Sequence, residues 1–594
     1  MSHWALLLAS SLVVAAAGAA GARVPPMRGV IEGYYGRPWT GEARRDVIRF
    51  LAAHGLDTFV YAPKNDPWHR DRWREPYPAD ALADLRETAH LARTLDVRFL
   101  YALSPALDVC YACDDDFAAL TAKLAQLSHA GVRRFALLFD DAPEQLERPE
   151  DVARFGGADG AALARAHADL ANRTARWLRT HRLGTLRLVV PTDYAGDGCS
   201  AYNDQLGRAL RRGMPIGWTG SGVFAPTITG AEAQARRRCL HGHPVVLWDN
   251  VPVNDTLLAI NLHLGPLTGR SADLPGALGG YLLNPMTQAH ASLITLGTAA
   301  AYLRRPARYD PEAAWRATLA ELGGSGLAIL AENTRSSALD LDDARPLAAA
   351  LAAVQASYDG ADWTAAVDGL AAEVARQAGA PALIAGELDG TPLGAEIAPW
   401  VAELGRHAAR GADATALLRA LKPSFADVVT APQGGALHVT GRALPPDAAA
   451  ATALGPGFVT EAAATAARIA APDLGGLLAC LGPLTSADIR FCTDFGLNVH
   501  GKALYVVIRQ PTDIQVVSDR NVHDRLVLFT GAAHAAWAAR HHAGADPLTV
   551  TLEGTPVPLA ADGTFAATAV PSASGRVRLV ATTATGESTA RDLP

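Results

Sequence analysis

The feature that most constrains this fold is a repeated alternation of short apolar runs with amphipathic segments, from Arg28 to about Tyr302. Short apolar runs between turn residues are typical of buried strands, and apolar residues at three- and four-residue spacing are typical of helices. A chain that alternates the two builds a parallel sheet covered by helices. Eight strands are predicted, at Gly29 to Tyr35, Thr58 to Ala62, Val97 to Ser104, Arg134 to Asp140, Leu186 to Asp193, Ile216 to Thr219, Val245 to Asp249 and Gly279 to Asn284.

Eight strand-helix units close into a TIM barrel of about 250 residues. Amphipathic segments such as Asp80 to Leu95, Phe117 to His129 and Gly160 to Thr180 would cover its outside. The sequence therefore predicts an α/β fold with a (β/α)8 TIM barrel as the catalytic domain, over residues 27–303.

The remaining sequence predicts further domains, because 594 residues are too many for one hydrophobic core. Residues 307–422 are rich in Ala and Leu with helical periodicity, which predicts a helical bundle. Residues 423–543 carry mixed signals and are predicted to form a β-sandwich module, with strands at Ala503 to Arg509, Asp513 to Ser518 and Arg525 to Thr530. Apolar and polar residues alternate in 544–594, which favours a small immunoglobulin-like β module.

The N-terminus has the pattern of an export signal. Residues 5–21 are apolar and rich in small side chains, and Ala-x-Ala sites end at Ala19 and Ala22. Residues 1–23 are therefore predicted to be a signal peptide and the protein to be secreted. The first four residues contain no Lys or Arg, and an uncleaved anchor would have a similar pattern. No later stretch resembles a membrane span.

Six cysteines suit an exported protein with a few disulfides. They are Cys110, Cys113, Cys199, Cys239, Cys480 and Cys492. The first two form a Cys-x-x-Cys motif without a second such pair or a nearby His, so a local disulfide or inert thiols are expected there rather than zinc. The sequence leaves the pairing open.

The charge pattern gives no sign of a polyanionic partner. The net charge is −7, and no run of Lys or Arg marks a surface for nucleic acid or anionic lipid. No nucleic-acid partner is expected.

Reacting groups in TIM barrels lie at the carboxyl ends of the strands, so the residues that close each apolar run are the candidates for a site. Seven of the eight predicted strands end in polar or aromatic residues. These ends are Glu32 to Trp39, Tyr61 to Asp66, Leu138 to Asp141, Pro191 to Tyr194, Trp218 to Gly220, Trp248 to Asn250 and Leu283 to Pro285.

The adjacent carboxylates Asp140 and Asp141 are the most informative of these ends. Repulsion between two neighbouring carboxylates can raise one pKa and leave a protonated acid beside an anion, which suits acid-base chemistry. Alternation along a strand points adjacent side chains in different directions, so two distinct roles are expected. An isolated Asp-Asp pair more often begins a solvated loop, and the other strand ends favour the catalytic interpretation.

Aromatic residues accumulate near the same strand ends. They are Tyr34, Tyr35, Trp39, Trp68, Trp73, Trp218 and Trp248. Each alone is typical of an ordinary core, but flat apolar faces beside Asn, Asp and Lys side chains suit a sugar ring.

The strand-end motifs together resemble glycoside hydrolase family 84, the family of protein O-GlcNAcases and bacterial N-acetyl-β-glucosaminidases. Three motifs carry the resemblance: Glu-Gly-Tyr-Tyr-Gly-Arg-Pro-Trp from Glu32, Phe-Asp-Asp from Phe139 and Trp-Asp-Asn-Val-Pro-Val-Asn-Asp from Trp248. They occur in the family's order over about half of the chain. Two departures are modest: Tyr34 stands where Phe is also common, and Asn65 where Asp often follows the Lys.

The resemblance implies hydrolysis with retention, in which the 2-acetamido oxygen of the sugar attacks the anomeric carbon and forms an oxazoline. It implies that Asp140 holds the acetamido N–H, that Asp141 is the general acid and then the general base, and that Tyr194 hydrogen-bonds the acetamido oxygen. The resemblance also implies seven substrate-binding residues: Gly33, Lys64, Thr219, Trp248, Asn250, Asp255 and Asn284.

The predicted function is that of a secreted exo-β-N-acetylglucosaminidase acting on glycans or glycoproteins that carry terminal N-acetylglucosamine. Two alternatives stay open: an enzyme of the same family that trims hyaluronan fragments or mucin glycans, and a non-catalytic glycan-binding surface protein. A metal-dependent hydrolase is disfavoured, because no His-rich ligand set converges on the strand ends. Neither a metal nor an organic cofactor is expected, and the oligomeric state is left open.

Overall fold

The computed structural model describes residues 25–255, 261–337, 339–340, 342, 344–357, 362–420, 424–444, 506–507, 526–527, 548–582 and 588–594. The predicted signal peptide lies outside the described residues. Among the helices of the described part, none is both long enough and apolar enough to cross a membrane.

Eight parallel strands close into a barrel in chain order, with the first hydrogen-bonded to the last. They are β1 (Arg28–Glu32), β2 (Thr58–Tyr61), β3 (Arg98–Leu103), β4 (Arg134–Leu138), β5 (Thr185–Val190), β6 (Ile216–Trp218), β7 (Val245–Asp249) and β8 (Gly280–Leu283). The predicted TIM barrel is confirmed. Most predicted strands extend past the observed carboxyl ends, because the polar residues there leave the strand ladder and form the loops of the site.

In the described residues, nine α-helices lie between or directly after these strands. They are α1 (Gly41–Ala53), α2 (Ala79–Thr94), α3 (Asp114–His129), α4 (Pro149–Phe155), α5 (Gly160–Thr180), α6 (Ala201–Ala209), α7 (Gly230–Cys239), α8 (Leu274–Ala277) and α9 (Ala289–Arg304). Side-chain caps fix several of their starts: Asp159 accepts a hydrogen bond from Ala162 at the start of α5, and Thr229 with Glu232 forms a capping box at α7.

Alternating side chains of the strands fill two separate apolar layers. Residues such as Ile31, Leu100 and Leu138 pack inside the barrel. Their neighbours along the strands, such as Val30 and Leu137, pack outward against the helices. Because the interior is filled by side chains, the barrel is a rigid support for the loops at its ends.

A buried ion pair holds the end of β1 against α1. The Nε atom of Arg44 lies 2.7 Å from Oε2 of Glu32, and both side chains are almost fully buried. Burial raises the pKa of Glu32, although Arg44 and the amide of Trp39 act in the opposite direction. The ion pair therefore fixes the position at which the loop after β1 begins.

We expect Arg44→Met to lower the free energy of unfolding by about 3–5 kcal/mol, because it leaves the carboxylate of Glu32 buried without its partner. Thermal and urea unfolding followed by tryptophan fluorescence would measure the loss. The matched double variant Glu32→Gln/Arg44→Met removes both charges and should recover most of the stability. A double variant as unstable as the single one would mean that the loss comes from packing.

Four of the six cysteines form two disulfides, Cys110–Cys113 and Cys199–Cys239. The first confirms the local disulfide among the two outcomes expected for the Cys-x-x-Cys motif. The second joins the end of the loop that leads into α6 to the last residue of α7. Cys480 and Cys492 lie outside the described residues.

Five helices follow the barrel, as the composition of 307–422 predicts. They are α10 (Pro311–Leu322), α11 (Ser325–Asn333), α12 (Arg345–Ala356), α13 (Trp363–Leu388) and α14 (Pro392–Ala420). An apolar cluster that includes Ile294 of α9, Trp315 of α10 and Ile397 of α14 joins them to the barrel. His290 of α9 adds a polar contact, with Asp46 at 3.1 Å and Glu396 at 2.8 Å.

Two antiparallel sheets form most of the described C-terminal part. Their strands are β9 (Ser424–Gln433), β10 (Ala436–Leu444), β13 (Thr549–Leu552), β14 (Thr555–Val557), β15 (Thr564–Ala569), β16 (Val577–Thr582) and β17 (Ser588–Leu593). One sheet has the order β15-β10-β9 and the other β14-β13-β16-β17. A shared apolar core with Val439, Phe565 and Leu579 lies between them.

Strand pairing crosses the predicted division between 423–543 and 544–594, because β10 pairs with β15. Of the three strands predicted between 503 and 530, short segments of two are described, β11 (Val506–Val507) and β12 (Leu526–Val527), and they pair in parallel. The strand predicted at Asp513 to Ser518 lies outside the described residues. The domain limits stay a prediction.

Candidate active site

The strand ends of the barrel bring the predicted site residues to one end, which we call the mouth. Of the two predicted carboxylates, Asp140 is the more buried, with 4% of its surface exposed. Its Oδ2 forms an ion pair with Nζ of Lys64, itself buried. Its Oδ1 is buried and accepts no hydrogen bond from the described residues. Buried carboxylate oxygens are normally paired, so this atom is a free acceptor for a donor on a ligand.

Asp141 faces a different environment from its neighbour. Its side chain is 34% exposed, and its backbone has a φ of 51°, in the left-handed region that few residues other than glycine adopt. Arg70 holds this turn by donating to the carbonyl oxygen of Asp141 at 2.7 Å. The adjacent carboxyl groups therefore occupy distinct environments, as expected, but the cause is the left-handed turn after β4 and not alternation along the strand.

Two tyrosines donate hydrogen bonds to the carboxylate of Asp141. The hydroxyl of Tyr35 lies 2.8 Å from Oδ2, and the hydroxyl of Tyr194 lies 2.8 Å from Oδ1. Burial near these carboxylates raises the pKa of both tyrosines, so both hydroxyls stay protonated donors at neutral pH. Asp141 is thus held at the mouth by one residue after β1 and one after β5.

The expectation that repulsion raises the pKa of one carboxyl is wrong for Asp141. Burial raises its pKa, but Lys64, Tyr35, Tyr194 and Arg70 together lower it further, and the pKa lies below its usual value. The physical reason is the position of Lys64, whose Nζ pairs with Asp140 and lies 3.9 Å from Oδ2 of Asp141. One ammonium group therefore offsets the repulsion between the two carboxylates.

A close contact between β1 and β7 explains the glycine at position 33. A Cβ atom added to Gly33 would lie 2.2 Å from the ring of Trp248, so only glycine fits. The same ring lies under Lys64, whose Nζ is 5.6 Å from the ring centroid. Trp248 thus forms a wall of the mouth next to the carboxylate pair.

Two asparagine side chains, which directly follow β7 and β8, extend this wall. The Gly33 amide donates to Oδ1 of Asn284 at 3.2 Å, and Asn284 donates to Oδ1 of Asn250 at 3.0 Å. Asn250 donates in turn to the carbonyl oxygen of Val223 at 2.8 Å. The network orients both amides, which gives the mouth fixed donors and acceptors for hydroxyl groups.

Asp255 and Thr219 complete the predicted set. Asp255 accepts a hydrogen bond from the Tyr35 amide at 2.8 Å, and burial raises its pKa. The amide of Thr219 donates to the carbonyl oxygen of Tyr194 at 3.0 Å. The hydroxyl of Thr219 donates to the carbonyl oxygen of Gly222 at 2.8 Å. All ten residues predicted from the sequence are therefore joined by contacts around one mouth.

The sequence pattern did not predict the contacts that two residues, Tyr35 and Arg70, make with Asp141. Tyr35 was grouped with aromatic rings for stacking, whereas its hydroxyl contacts Asp141. Arg70 lies six residues after Lys64, and a single arginine in a loop carries no sequence signal for its contact with the backbone of the loop after β4. Within the described ranges, no group of three or more His, Cys, Asp or Glu side chains could hold a metal ion.

A TIM barrel with a carboxylate pair, tyrosines and oriented amides at its strand ends defines a glycoside hydrolase as the class of protein. A family model described as beta-N-acetylglucosaminidase matches residues 28–338, which is more than half of the chain. The chain belongs to this family, glycoside hydrolase family 84, as the strand-end motifs predict.

Relatives and solved structures agree with this family. The protein O-GlcNAcases of Rattus norvegicus and Mus musculus are each 34% identical over 296 residues, which is 49% of this chain and 31% of each relative, so the match spans about a third of their length. A mutant O-GlcNAc hydrolase of Thermobaculum terrenum superposes with a TM-score of 0.63 and 29% identity, over 67% of this chain and 85% of that one. The structure of CpGH84B has a TM-score of 0.59 and 26% identity, over 66% and 69% of the two chains.

Proposed function

We propose that this protein is a retaining exo-β-N-acetylglucosaminidase that uses the 2-acetamido group of its substrate as the nucleophile. The observation that carries the proposal is the buried, unpaired Oδ1 of Asp140 beside its Lys64-bound Oδ2. An acceptor of this kind fits one N–H donor, and the acetamido group of N-acetylglucosamine has one. Asp141, 34% exposed at the mouth, lies within reach of a leaving group.

The first step forms one bond and breaks another at the anomeric carbon. The acetamido oxygen attacks this carbon while the acetamido N–H donates a hydrogen bond to Oδ1 of Asp140. The pKa of Asp141 rises when Tyr194 leaves it for the acetamido oxygen, and the protonated Asp141 gives its proton to the departing glycosidic oxygen. The negative charge of Asp140 stabilises the positive charge that develops on the acetamido group. The products are the free alcohol and an oxazolinium ion, whose N–H stays hydrogen-bonded to Asp140.

The second step restores the sugar. Asp141, now a carboxylate, takes a proton from water as the water attacks the anomeric carbon, and the oxazolinium ion opens to the neutral acetamido group with retained configuration. Tyr194 donates to the acetamido oxygen before the attack, which requires its hydroxyl to leave Asp141. Asn284, Asp255 and Lys64 bind sugar hydroxyls, and Thr219 and Trp248 form walls of the site.

The substrate class that we propose is a β-linked N-acetylglucosamine at the end of a glycan or on a protein hydroxyl. The matched relatives named protein O-GlcNAcase and O-GlcNAc hydrolase support the second form. We also propose that the protein is exported, since it has two disulfides and an apolar N-terminus with Ala-x-Ala sites. A mature N-terminus after Ala19 or Ala22 in the culture medium would agree with export, and an intact Met1 in the cytoplasm would contradict it.

The test of the proposed function is release of 4-nitrophenol by the full chain from two substrates. Hydrolysis of 4-nitrophenyl N-acetyl-β-glucosaminide with negligible hydrolysis of the plain 4-nitrophenyl β-glucoside is expected, because the plain glucoside has no acetamido group. Equal hydrolysis of both would point to a protein nucleophile. Tight binding of N-acetylglucosamine by a folded protein that hydrolyses neither substrate would favour the glycan-binding alternative.

The pH profile of kcat/KM should be bell-shaped, and Tyr35→Phe should move its basic limb to higher pH. The basic limb reports loss of the proton from the general acid of the free enzyme. The hydrogen bond from Tyr35 lowers the pKa of Asp141, so its removal raises this pKa and keeps the acid protonated at higher pH. The measurement is kcat/KM against pH on the N-acetyl substrate.

Tyr34→Phe is the matched control for this shift. The hydroxyl of Tyr34 donates to the carbonyl oxygen of Arg37 and has no contact with Asp141, so its basic limb should coincide with that of the wild type. An unshifted limb in Tyr35→Phe, or a flat profile in the wild type, would count against Asp141 as the general acid.

A further inference from the structure

Exposed arginines converge on the end of the barrel opposite to the mouth. They come from the loops before β4, β5 and β6 and from the strands β4 and β5 themselves. These six residues, which we call the arginine face, are Arg133, Arg134, Arg182, Arg187, Arg211 and Arg212. They do not form a run in the sequence, because the barrel topology brings three separate segments together, so the sequence pattern alone did not predict a basic surface.

Among the described residues, no acidic side chain forms an ion pair with this face. The segments 130–134, 179–187 and 210–215 contain neither Asp nor Glu, although the whole chain has a net charge of −7. None of the six guanidinium groups lies within 4.0 Å of a carboxylate among the described residues, whereas nearby Arg28 and Arg98 share Asp57 at 3.1 and 3.0 Å. The arginine face is thus a local excess of positive charge on an otherwise acidic protein.

The ends of the helices account for only part of this excess. Arginines just after a helix interact favourably with the helix dipole, which explains Arg182 after α5 and Arg211 and Arg212 after α6. Arg134 and Arg187 are strand residues, and no dipole stabilises them. Burial is the largest cause that lowers the pKa of Arg134, and repulsion from the nearby charges of Arg98 and Arg187 lowers it further. A bound anionic surface would offset this repulsion.

The shape of the face favours a flat partner over a polymer strand. The loops 130–133, 181–184 and 210–215 are short, and each connects a helix directly to the next strand. The large apolar side chains that are exposed in the described part of the chain are Leu107, Val223, Phe224, Leu383, Val429 and Val570, and all lie outside these loops. The face therefore offers guanidinium groups without apolar residues that would insert into lipid or stack on bases.

We propose that the arginine face binds the surface of an anionic phospholipid bilayer by electrostatic attraction. Guanidinium groups pair well with phosphate oxygens, and each basic side chain near such a surface adds to the affinity. The mouth lies at the opposite end of the barrel, so it would face away from the membrane toward soluble or protein-bound glycans. The chain also enters the barrel on the side of the arginine face, at Arg28.

The experiment compares binding of the full chain to vesicles of mixed phosphatidylglycerol and phosphatidylcholine with binding to vesicles of phosphatidylcholine alone. The excess of binding to the anionic vesicles is the readout, because an apolar N-terminal segment would add equally to both. Arg211→Gln/Arg212→Gln should reduce this excess roughly thirty-fold, and Arg134→Gln/Arg187→Gln by a similar factor. If the strand variant Arg134→Gln/Arg187→Gln fails to fold, the loop variant Arg211→Gln/Arg212→Gln still tests the proposal. Salt should weaken the binding of the wild type.

The matched control is Arg576→Gln/Arg591→Gln, which removes two exposed arginines from the C-terminal sheets and should leave binding unchanged. Hydrolysis of 4-nitrophenyl N-acetyl-β-glucosaminide should be unchanged in folded variants, so failure of the membrane proposal is distinct from failure of the proposed function. Equal binding to both kinds of vesicle, or an equal loss in the control pair, would overturn the proposal. Tighter binding of heparin or duplex DNA through the same arginines would also overturn it, since the partner would then be a polyanionic polymer.

Discussion

Asp141→Asn is expected to lower kcat on phenyl N-acetyl-β-glucosaminide by about a hundredfold to ten-thousandfold, the usual contribution of a general acid. Phenol is a poor leaving group and needs the proton of Asp141. The 2,4-dinitrophenyl glycoside, whose leaving group needs no proton, should be cleaved with a much smaller loss in the first step. Asparagine tolerates the left-handed backbone at this position, so the loss should not come from misfolding. The measurement is kcat on both substrates.

Azide provides a second readout for the same variant. As an anion it needs no general base, so it should attack the oxazoline and restore turnover of the 2,4-dinitrophenyl substrate as a β-glycosyl azide. Asp193→Asn is the matched control, because this aspartate also follows a strand of the barrel but contacts neither carboxylate of the pair. Equal losses on both leaving groups, or no response to azide, would remove Asp141 from the acid-base role.

Asp140→Asn is expected to lower kcat by about a hundredfold to a thousandfold on both leaving groups. The amide oxygen of the new side chain would turn to Lys64, and its NH2 group would then face the acetamido N–H, donor against donor. The charge that stabilises the developing oxazoline would also be lost. Kinetics on the phenyl and 2,4-dinitrophenyl substrates measure the effect.

The two aspartate variants should therefore differ in pattern as well as in size. Loss in Asp140→Asn should be independent of the leaving group and unaffected by azide, since this residue transfers no proton. A loss confined to the phenyl substrate would mean that the roles of the two carboxyl groups are exchanged.

The barrel could be predicted because its signals are local. Each strand is a short apolar run and each helix has its own periodicity, so α5 was predicted with the bounds that the structure has, Gly160–Thr180. The place of the site was predictable for the same reason, since the strand ends of a closed barrel must meet. The resemblance to glycoside hydrolase family 84 then implied which residues near these ends bind the sugar, including Lys64 and Asn284.

What could not be predicted depends on contacts between distant segments. The direction of the Asp141 pKa shift follows from where the ammonium of Lys64 and the hydroxyls of Tyr35 and Tyr194 lie, and periodicity does not encode the positions of side chains that come from different loops. The pairing of β10 with β15 joins segments more than a hundred residues apart, as the contact between His438 and Thr568 illustrates. The arginine face likewise arises only when three loops meet.

The most direct test of acetamido participation is a series of 4-nitrophenyl glycosides that carry N-acetyl, N-fluoroacetyl, N-difluoroacetyl and N-trifluoroacetyl groups. Each fluorine withdraws electrons from the acetamido oxygen and weakens it as a nucleophile, while the leaving group stays the same. We predict that kcat of the wild type falls steeply and progressively along the series. A kcat that does not depend on the number of fluorine atoms would contradict substrate assistance and require a nucleophile from the protein.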